Sequence, residues 1–166
     1  MSNVPIFVDL QGFILNGCFT VKEVAVLRDG KTLSHYIFQE PKPRDWLTKS
    51  EKFQACWLKV HHHGLAWDDG FVPYGLRQKL VEKAIGPEPS LIYVKGTEKK
   101  RWLREILEDD DLRIETIDMD YEDIARLEDL DAIGALRCGY HAKHCAMQNV
   151  CKLYRWWFER TKYLRK

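Results

Sequence analysis

Three short apolar runs near the N-terminus, rich in β-branched and aromatic residues, have the pattern of strands. The Asp29-Gly30 pair between the second and third runs favours a tight hairpin, because Asp-Gly readily adopts positive φ angles. We expect a turn over residues 12–17 after the first run. The pattern therefore predicts an antiparallel three-strand meander formed by Val4 to Leu10, Phe19 to Leu27 and Thr32 to Phe38.

The rest of the chain alternates helical apolar spacing with two more short strand patterns. Predicted helices cover Lys49 to Lys59, Pro73 to Ala84, Gly96 or Thr97 to Leu107, and both sides of Gly134, and predicted strands cover Ser90 to Val94 and Arg113 to Ile117. We interpret the run His61 to His63 as a solvated helix end. The order predicts an α/β, RNase H-like mixed sheet flanked by helices, with residues 1–166 as a single domain.

Composition supports one domain, since 45% of the 166 residues are hydrophobic and 12% are aromatic, enough for a substantial core. No apolar run approaches the roughly 20 residues of a membrane span, and the N-terminus lacks the features of a signal peptide. We therefore expect a soluble, intracellular protein without a membrane partner. Its five cysteines are better interpreted as thiols or metal ligands than as a disulfide framework.

Two of the cysteines and one histidine have the spacing of one helix face. Cys138, His141 and Cys145 stand at i, i+3 and i+7, which spreads them over about 60° of a helix circumference. Structural zinc takes four ligands, and Glu23 is the best remaining donor because it faces inward with Phe19, Val21, Ala25 and Leu27 on the second strand. The alternative is that the cysteines are small buried hydrophobes and His141 is a satisfied core histidine.

The N-terminal meander resembles the opening of DEDD-type exonucleases, whose first strand carries an Asp-x-Glu pair that binds two catalytic metal ions. Here the matching residues are Asp9-Leu10-Gln11, and a later expected aspartate falls at Lys99. An amide and an ammonium in place of carboxylates remove the negative charge that two divalent cations need. The resemblance therefore implies a degenerate active site at Asp9, Gln11 and Lys99, although the sequence leaves enzymatic activity of another kind open.

Short motifs also resemble the Maelstrom domain, an exonuclease-like family of the piRNA pathway with a Glu-Cys-His-Cys zinc site. The similar segments are Lys22-Glu23-Val24-Ala25, His35-Tyr36-Ile37-Phe38 before a proline, Cys138-Gly-Tyr-His141 and Cys145-Ala146. The resemblance implies a zinc ion held by Glu23, Cys138, His141 and Cys145, and a role in small-RNA or transposon-related biology.

Charge is segregated along the chain although the net charge is only +1. Acidic residues dominate Glu108 to Asp131, whereas Lys95 to Arg104 and Lys152 to Lys166 combine cations with aromatics, as single-strand binders do. We predict that single-stranded RNA contacts Lys95, Lys99, Lys100, Arg101, Lys152, Arg155, Trp156 and Arg160. Alternatives are solvated helix faces, a protein-interaction or homodimerisation module that uses the acidic segment, and a metal-independent RNA endonuclease.

Overall fold

A computed structural model of the chain describes residues 4–164 and places five strands in one sheet of order β3-β2-β1-β4-β5. The strands are β1 (Ile6–Leu15), β2 (Cys18–Arg28), β3 (Thr32–Ile37), β4 (Ile92–Val94) and β5 (Ile114–Thr116). β1, β2 and β3 pair antiparallel, while β4 runs parallel to β1 and β5 runs parallel to β4. The predicted α/β fold, a three-strand meander plus two further strands in a mixed sheet, is confirmed.

Helices flank this sheet. They are α1 (Lys49–Leu58), α2 (Arg77–Ile85), α3 (Thr97–Leu107), α4 (Ile117–Asp120) and α5 (Ala146–Thr161). The start of α1 is fixed by a capping box, in which Thr48 and Glu51 each accept a hydrogen bond from the other's backbone N–H. A single π turn (Lys59–His63) extends α1 before the chain reverses at Gly64.

Within residues 4–164, none of the helices has both the length and the apolar content that crossing a membrane requires.

Three clusters of buried side chains hold the layers together. α2 and α3 cover one face of the sheet over residues such as Val8 and Leu10, and α5 covers the other face over Phe7 and Ala25. A smaller third cluster joins α1 to the far end of β1. It contains Phe13, Leu15, Leu47, Ala55 and Trp67, with Leu58 packed against it. The sheet is therefore covered on both faces, and α1 packs against the C-terminal end of its central strand, β1.

A β-bulge shapes the centre of the sheet. β1 is longer than predicted, since it runs through Gly12 to Leu15 and turns only at Asn16 and Gly17. Its register with β2 shifts between Gln11 and Gly12. A side chain at Gly12 would put its Cβ 2.0 Å from the carbonyl oxygen of Thr20, so this close approach of the strands requires glycine.

The bulge also corrects the predicted face of β2. Gln11 pairs with Glu23 and Gly12 pairs with Val21, which leaves Lys22 as the additional residue. Phe19 and Val21 consequently pack in the α2 and α3 layer, whereas Ala25 lies beneath α5. The expectation that all odd positions share one face was wrong, because one inserted residue reverses the alternation. Glu23 nevertheless points to the α5 side.

The segment between α4 and α5 also differs from the prediction. Residues 121–145 contain one short 3-10 turn, Leu127–Asp129, and are otherwise irregular, so the predicted helix before Gly134 is absent. Gly134, Gly139 and His144 all have positive φ angles of 78°, 82° and 49°, which interrupt right-handed helix. The chain instead forms a long loop that passes over the end of β2 before α5 begins.

Candidate metal centre

Four potential ligands meet where this loop crosses the sheet. One ligand atom from each of Glu23, Cys138, His141 and Cys145 lies within 4.8 Å of the others. Glu23 and Cys145 are almost wholly inaccessible, and His141 is also buried. The four side chains could therefore hold a metal ion.

The convergence does not come from a helix face, and that part of the prediction was wrong. Cys138 and His141 lie in the irregular loop, and Cys145 is the N-cap residue of α5. The left-handed backbone at Gly139 and His144 folds the loop back on itself. The three side chains thus reach Glu23 through a compact loop rather than through helical periodicity.

Glu23 is the centre of the hydrogen-bond network. Its Oε2 lies 2.8 Å from Nε2 of His141 and 2.7 Å from Nε2 of His35. Its Oε1 accepts bonds from the backbone N–H of Ala146 at 3.0 Å and from Nε2 of Gln11 at 2.5 Å. Burial alone would raise the pKa of this carboxyl group, but the bonds from His141 and His35 outweigh it and lower the pKa to about 2. Glu23 is therefore a buried carboxylate.

His141 is held in one orientation by backbone carbonyls. Its Nδ1 lies 2.8 Å from the carbonyl oxygens of both His63 and Lys143. Carbonyl oxygens only accept, so Nδ1 carries a proton and Nε2 faces the cluster. Burial opposes protonation of the ring, but hydrogen bonds with Cys145 and Glu23 outweigh it and raise its pKa to about 11. A metal-ligating histidine usually shows this carbonyl bond from its second nitrogen.

The two thiols differ in acidity. Burial raises the pKa of Cys138. Burial acts in the same direction on Cys145, but hydrogen bonds from His141 and from the backbone N–H groups of Cys138 and Gln148 lower its pKa to about 7. The Cys138 N–H lies 3.3 Å from Sγ of Cys145. The site therefore offers a carboxylate, an oriented imidazole and two sulfur atoms, one of them readily deprotonated.

The residues of the expected degenerate active site lie beside this cluster. Asp9 is fully buried on β1, where it forms an ion pair with Lys99 and accepts a hydrogen bond from Nδ2 of Asn149 at 2.8 Å. Gln11 points instead to the metal cluster and donates to Glu23 and to the carbonyl oxygen of His144. The carboxylate of Asp9 is thus neutralised by an ammonium group.

An open cleft of about 580 Å³ lies above these residues, with Gln11, Lys95, Lys99 and Arg126 among its lining side chains. It also contains His62 and His144, whose ring centroids are 4.5 Å apart and which were not predicted as site residues. The π turn of the histidine run exposes His62 but buries His63, which bonds to Gly12 O at 3.1 Å. The interpretation of this run as a solvated helix end was therefore wrong for His63.

Two cations of the first predicted RNA-binding stretch are paired with the acidic segment. Lys95 forms an ion pair with Asp118, and Nζ of Lys100 lies 3.7 Å from a carboxylate oxygen of Glu115. Arg101 is exposed on α3. Acidic and basic runs that look independent in the sequence therefore compensate each other in the fold.

The second predicted stretch shows the same compensation along α5. Lys152 is buried and donates to the carbonyl oxygen of Leu127 at 3.1 Å, which corrects its expected surface position. Arg155 and Arg160 face Asp131 and Asp123, at 3.7 and 2.5 Å. Trp156 is half-buried between Tyr121 and the Arg160 guanidinium, whereas Phe158 on the same helix is 40% exposed. Residues 165–166 of this stretch lie outside the described residues.

The two stretches contribute to two depressions. Lys95 and Lys99 line the cleft above β1, and the α5 residues Lys152, Arg155, Trp156 and Arg160 line a second depression of about 280 Å³. Contact of these residues with single-stranded RNA stays a prediction.

No protein-family model matches the chain, and no curated protein matches it in sequence.

Proposed function

We propose that this protein is a zinc-stabilised, catalytically degenerate exonuclease-like domain, similar to Maelstrom domains, that binds single-stranded RNA. The observation that carries the proposal is the pairing of two sites on neighbouring strands. Asp9 is neutralised by Lys99, while Glu23 lies among three further metal donors less than 5 Å away.

The donor set favours zinc over magnesium. Thiolates and imidazole suit zinc, whereas magnesium demands oxygen ligands in octahedral geometry. Ligand atoms around tetrahedral zinc are about 3.3 to 3.8 Å apart, so the donors within 4.8 Å of one another need only a small contraction. Bound zinc would cross-link three parts of the chain. It would connect β2 to the loop that carries Cys138 and His141 and to the start of α5.

The cleft residues support loss of two-metal catalysis. Two-metal nucleases hold divalent cations about 3.5 to 4 Å apart by negative charge. Lys99 places a positive charge on Asp9 instead, and Gln11 contributes a neutral amide already bonded to Glu23. The Asp9 carboxylate, which would hold the first metal ion in such a nuclease, is bonded to an ammonium group.

The cleft also supports an anionic ligand. Lys95, Lys99, Arg126 and two histidines line it together with Glu98 and Glu128, and Gly96 and Thr97 at the start of α3 form part of its wall. Cations and helix N-termini favour phosphate groups.

A protein-interaction module is the second candidate, because the ion pairs of Arg155 and Arg160 with the acidic segment are the kind of contacts that a partner could exchange.

Two measurements test the proposal. Elemental analysis of protein purified without chelator should find about one zinc per chain, and Cys56→Ser, which changes an exposed thiol, should not alter this ratio. Fluorescence anisotropy should show binding of labelled single-stranded RNA in preference to duplex, with affinity that falls steeply as salt rises. Absence of zinc would refute the metal site, and absence of RNA binding at low salt would favour the interaction module.

A further inference from the structure

The outer face of α1 is an unpartnered aromatic stripe. Phe53, Cys56, Trp57 and Val60 are spaced i, i+3, i+4 and i+7, and all four are exposed. Phe53 is 71% exposed and Trp57 is 52% exposed, although Ala55 on the opposite side is buried against β1. An apolar stripe normally faces the core, so a stripe that faces solvent marks a binding surface.

Three lysines surround this stripe, and within the described part of the chain none of them has an acidic partner. Lys49 lies one turn before Phe53 on the same side of α1, and Lys52 and Lys59 flank its edge. Among residues 4–164 no ion pair involves any of these three lysines, in contrast to the paired cations of α3 and α5. The segment 42–63 carries five Lys or Arg and two Asp or Glu, a net charge of +3 with neutral histidines.

The stripe continues into the cleft above Asp9. A groove of about 470 Å³ lies between Phe53, Trp57 and the turn at Asn16 and Gly17. The backbone N–H of Asn16 donates to the side chain of Gln54 at 3.0 Å, which fixes this turn against α1. Groove and cleft share two lining residues, Ile14 and Leu58, so they are adjoining parts of one surface.

We propose that the α1 face, defined as Phe53, Trp57 and Val60 with Lys49, Lys52 and Lys59, is where single-stranded RNA binds. The inference rests on the proposed RNA-binding function and moves the binding surface away from α5. Bases stack on the two exposed rings, and the lysines contact phosphates. The strand then passes Ile14 and Leu58 toward the cleft.

The positive charge of the lysines favours RNA over a protein as the ligand of the α1 face. The centres of protein interfaces are enriched in aromatic residues but depleted in lysine, because a buried ammonium group needs a partner. Three unpaired lysines around two aromatic rings instead match a ligand with regularly spaced negative charges and stackable bases. His61, whose ring centroid lies 5.1 Å from that of Trp57, adds a third ring beside the stripe.

The test compares matched variants of the full chain by anisotropy with a fluorescein-labelled oligouridine of about 15 nucleotides. Phe53→Ala with Trp57→Ala should weaken binding at least about ten-fold, since each stacked base contributes substantially. Tyr163→Ala, which removes a ring that is 73% exposed near the C-terminus, should leave affinity unchanged. Unaltered melting temperatures would show that the exposed substitutions spare the fold.

Charge reversal provides the second comparison. Lys52→Glu with Lys59→Glu should flatten the dependence of log affinity on log salt by about 1.4, or ~0.7 per lost phosphate contact on single strands. Lys79→Glu with Lys83→Glu on α2 changes the net charge equally at exposed positions and should have little effect. Crosslinking of thiouridine RNA should label peptides from residues 49–63.

The outcomes separate the two proposals. If the wild type binds no single-stranded RNA at low salt, the proposed function fails and the inference fails with it. If the wild type binds but the α1 variants bind equally well, while Arg155→Glu with Arg160→Glu does not, the function survives and the α1 surface is refuted. Competition by polyglutamate as effective as by RNA would refute stacking and assign the face to acidic peptides.

Discussion

Asp9 and Glu23 are two buried carboxylates on adjacent strands, and they are neutralised in different ways. Asp9 is paired with the side-chain nitrogen of Lys99. Glu23 is bonded by the imidazoles of His35 and His141 and lies near two thiols. Both side chains are inaccessible to solvent, so burial alone does not distinguish them.

The difference lies in whether the neutralising groups can release a proton. A lysine bonded to a buried carboxylate keeps its proton and excludes a metal ion from the same position. Imidazole and thiol groups release their protons to solvent when a metal ion binds, and the deprotonated atoms then bind the ion directly. Both sites are therefore built around a carboxylate, but they differ in their capacity to bind a metal ion. The Asp9 site is blocked by its ion pair, whereas the Glu23 site is suited to a cation.

The largest expected effect comes from breaking the Glu23 site. Cys145→Ser should lower the melting temperature by about 15 °C or more, because zinc binding is coupled to folding and the ion links β2, the loop and α5. Cys56→Ser, which replaces an exposed thiol, should leave the melting temperature unchanged. Circular dichroism melts with zinc analysis of each variant provide the measurement. An unchanged melt for Cys145→Ser would support the alternative that the cysteines are ordinary core residues.

The Asp9 site should respond to loss of its cation. Lys99→Met leaves a buried carboxylate unpaired, which costs about 3 to 5 kcal/mol. At 2 to 4 °C per kcal/mol for a chain of this size, the melting temperature should fall by about 10 °C. Zinc content should stay at about one per chain, since Lys99 does not belong to the cluster.

A matched double variant checks that the Lys99 effect is electrostatic. Asp9→Asn with Lys99→Met removes both charges and keeps an oxygen to accept from Asn149, so most of the stability should return. If the double variant is as unstable as Lys99→Met alone, lost packing of the lysine stem explains the effect instead.

The fold was largely predictable because strands and turns are encoded locally. The hairpin at Asp29 and Gly30, the meander and the two later strands followed from alternation and turn residues. The bulge at Gly12 was not predictable, because the need for glycine arises from the carbonyl of Thr20 on another strand. The helix expected before Gly134 failed for a similar reason: tertiary contacts overrode apolar spacing in residues 121–145.

The candidate site was predictable in its composition but not in its geometry. The spacing of Cys138, His141 and Cys145 suggested a helix face, although a loop with left-handed residues brings them together. Nothing local predicted His62 beside His144, since their contact joins segments 82 positions apart (144 − 62). The sequence did not show which cations of the basic stretches have acidic partners, because partners such as Asp118 and Asp123 lie elsewhere in the chain.

A smaller effect should follow from loosening the environment of Glu23. His35→Gln removes the imidazole that lies 2.7 Å from Oε2 but leaves the four donors in place. Residues that orient metal ligands typically contribute 10- to 100-fold to affinity, so zinc affinity should fall by about ten-fold. Competition with a chromophoric chelator measures this, and Ser34→Ala on the same strand serves as the control. Equal affinities would place His35 outside the metal environment.

The smallest expected effect is that of adding magnesium or manganese. We expect neither ion to bind at the Asp9 site. A divalent cation would have to displace the ammonium of Lys99 from Asp9, and the neighbouring Gln11 supplies no negative charge to compensate. Neither metal should therefore raise the melting temperature or support stepwise trimming of an end-labelled RNA. Lys99→Asp provides the sharpest comparison, because it replaces the ammonium group that pairs with Asp9 by a second carboxylate. Manganese should stabilise that variant against heat while leaving the wild type unaffected. Metal-dependent trimming by the wild type, abolished in Asp9→Asn, would show that Asp9 binds a catalytic cation despite Lys99 and would remove the contrast with Glu23.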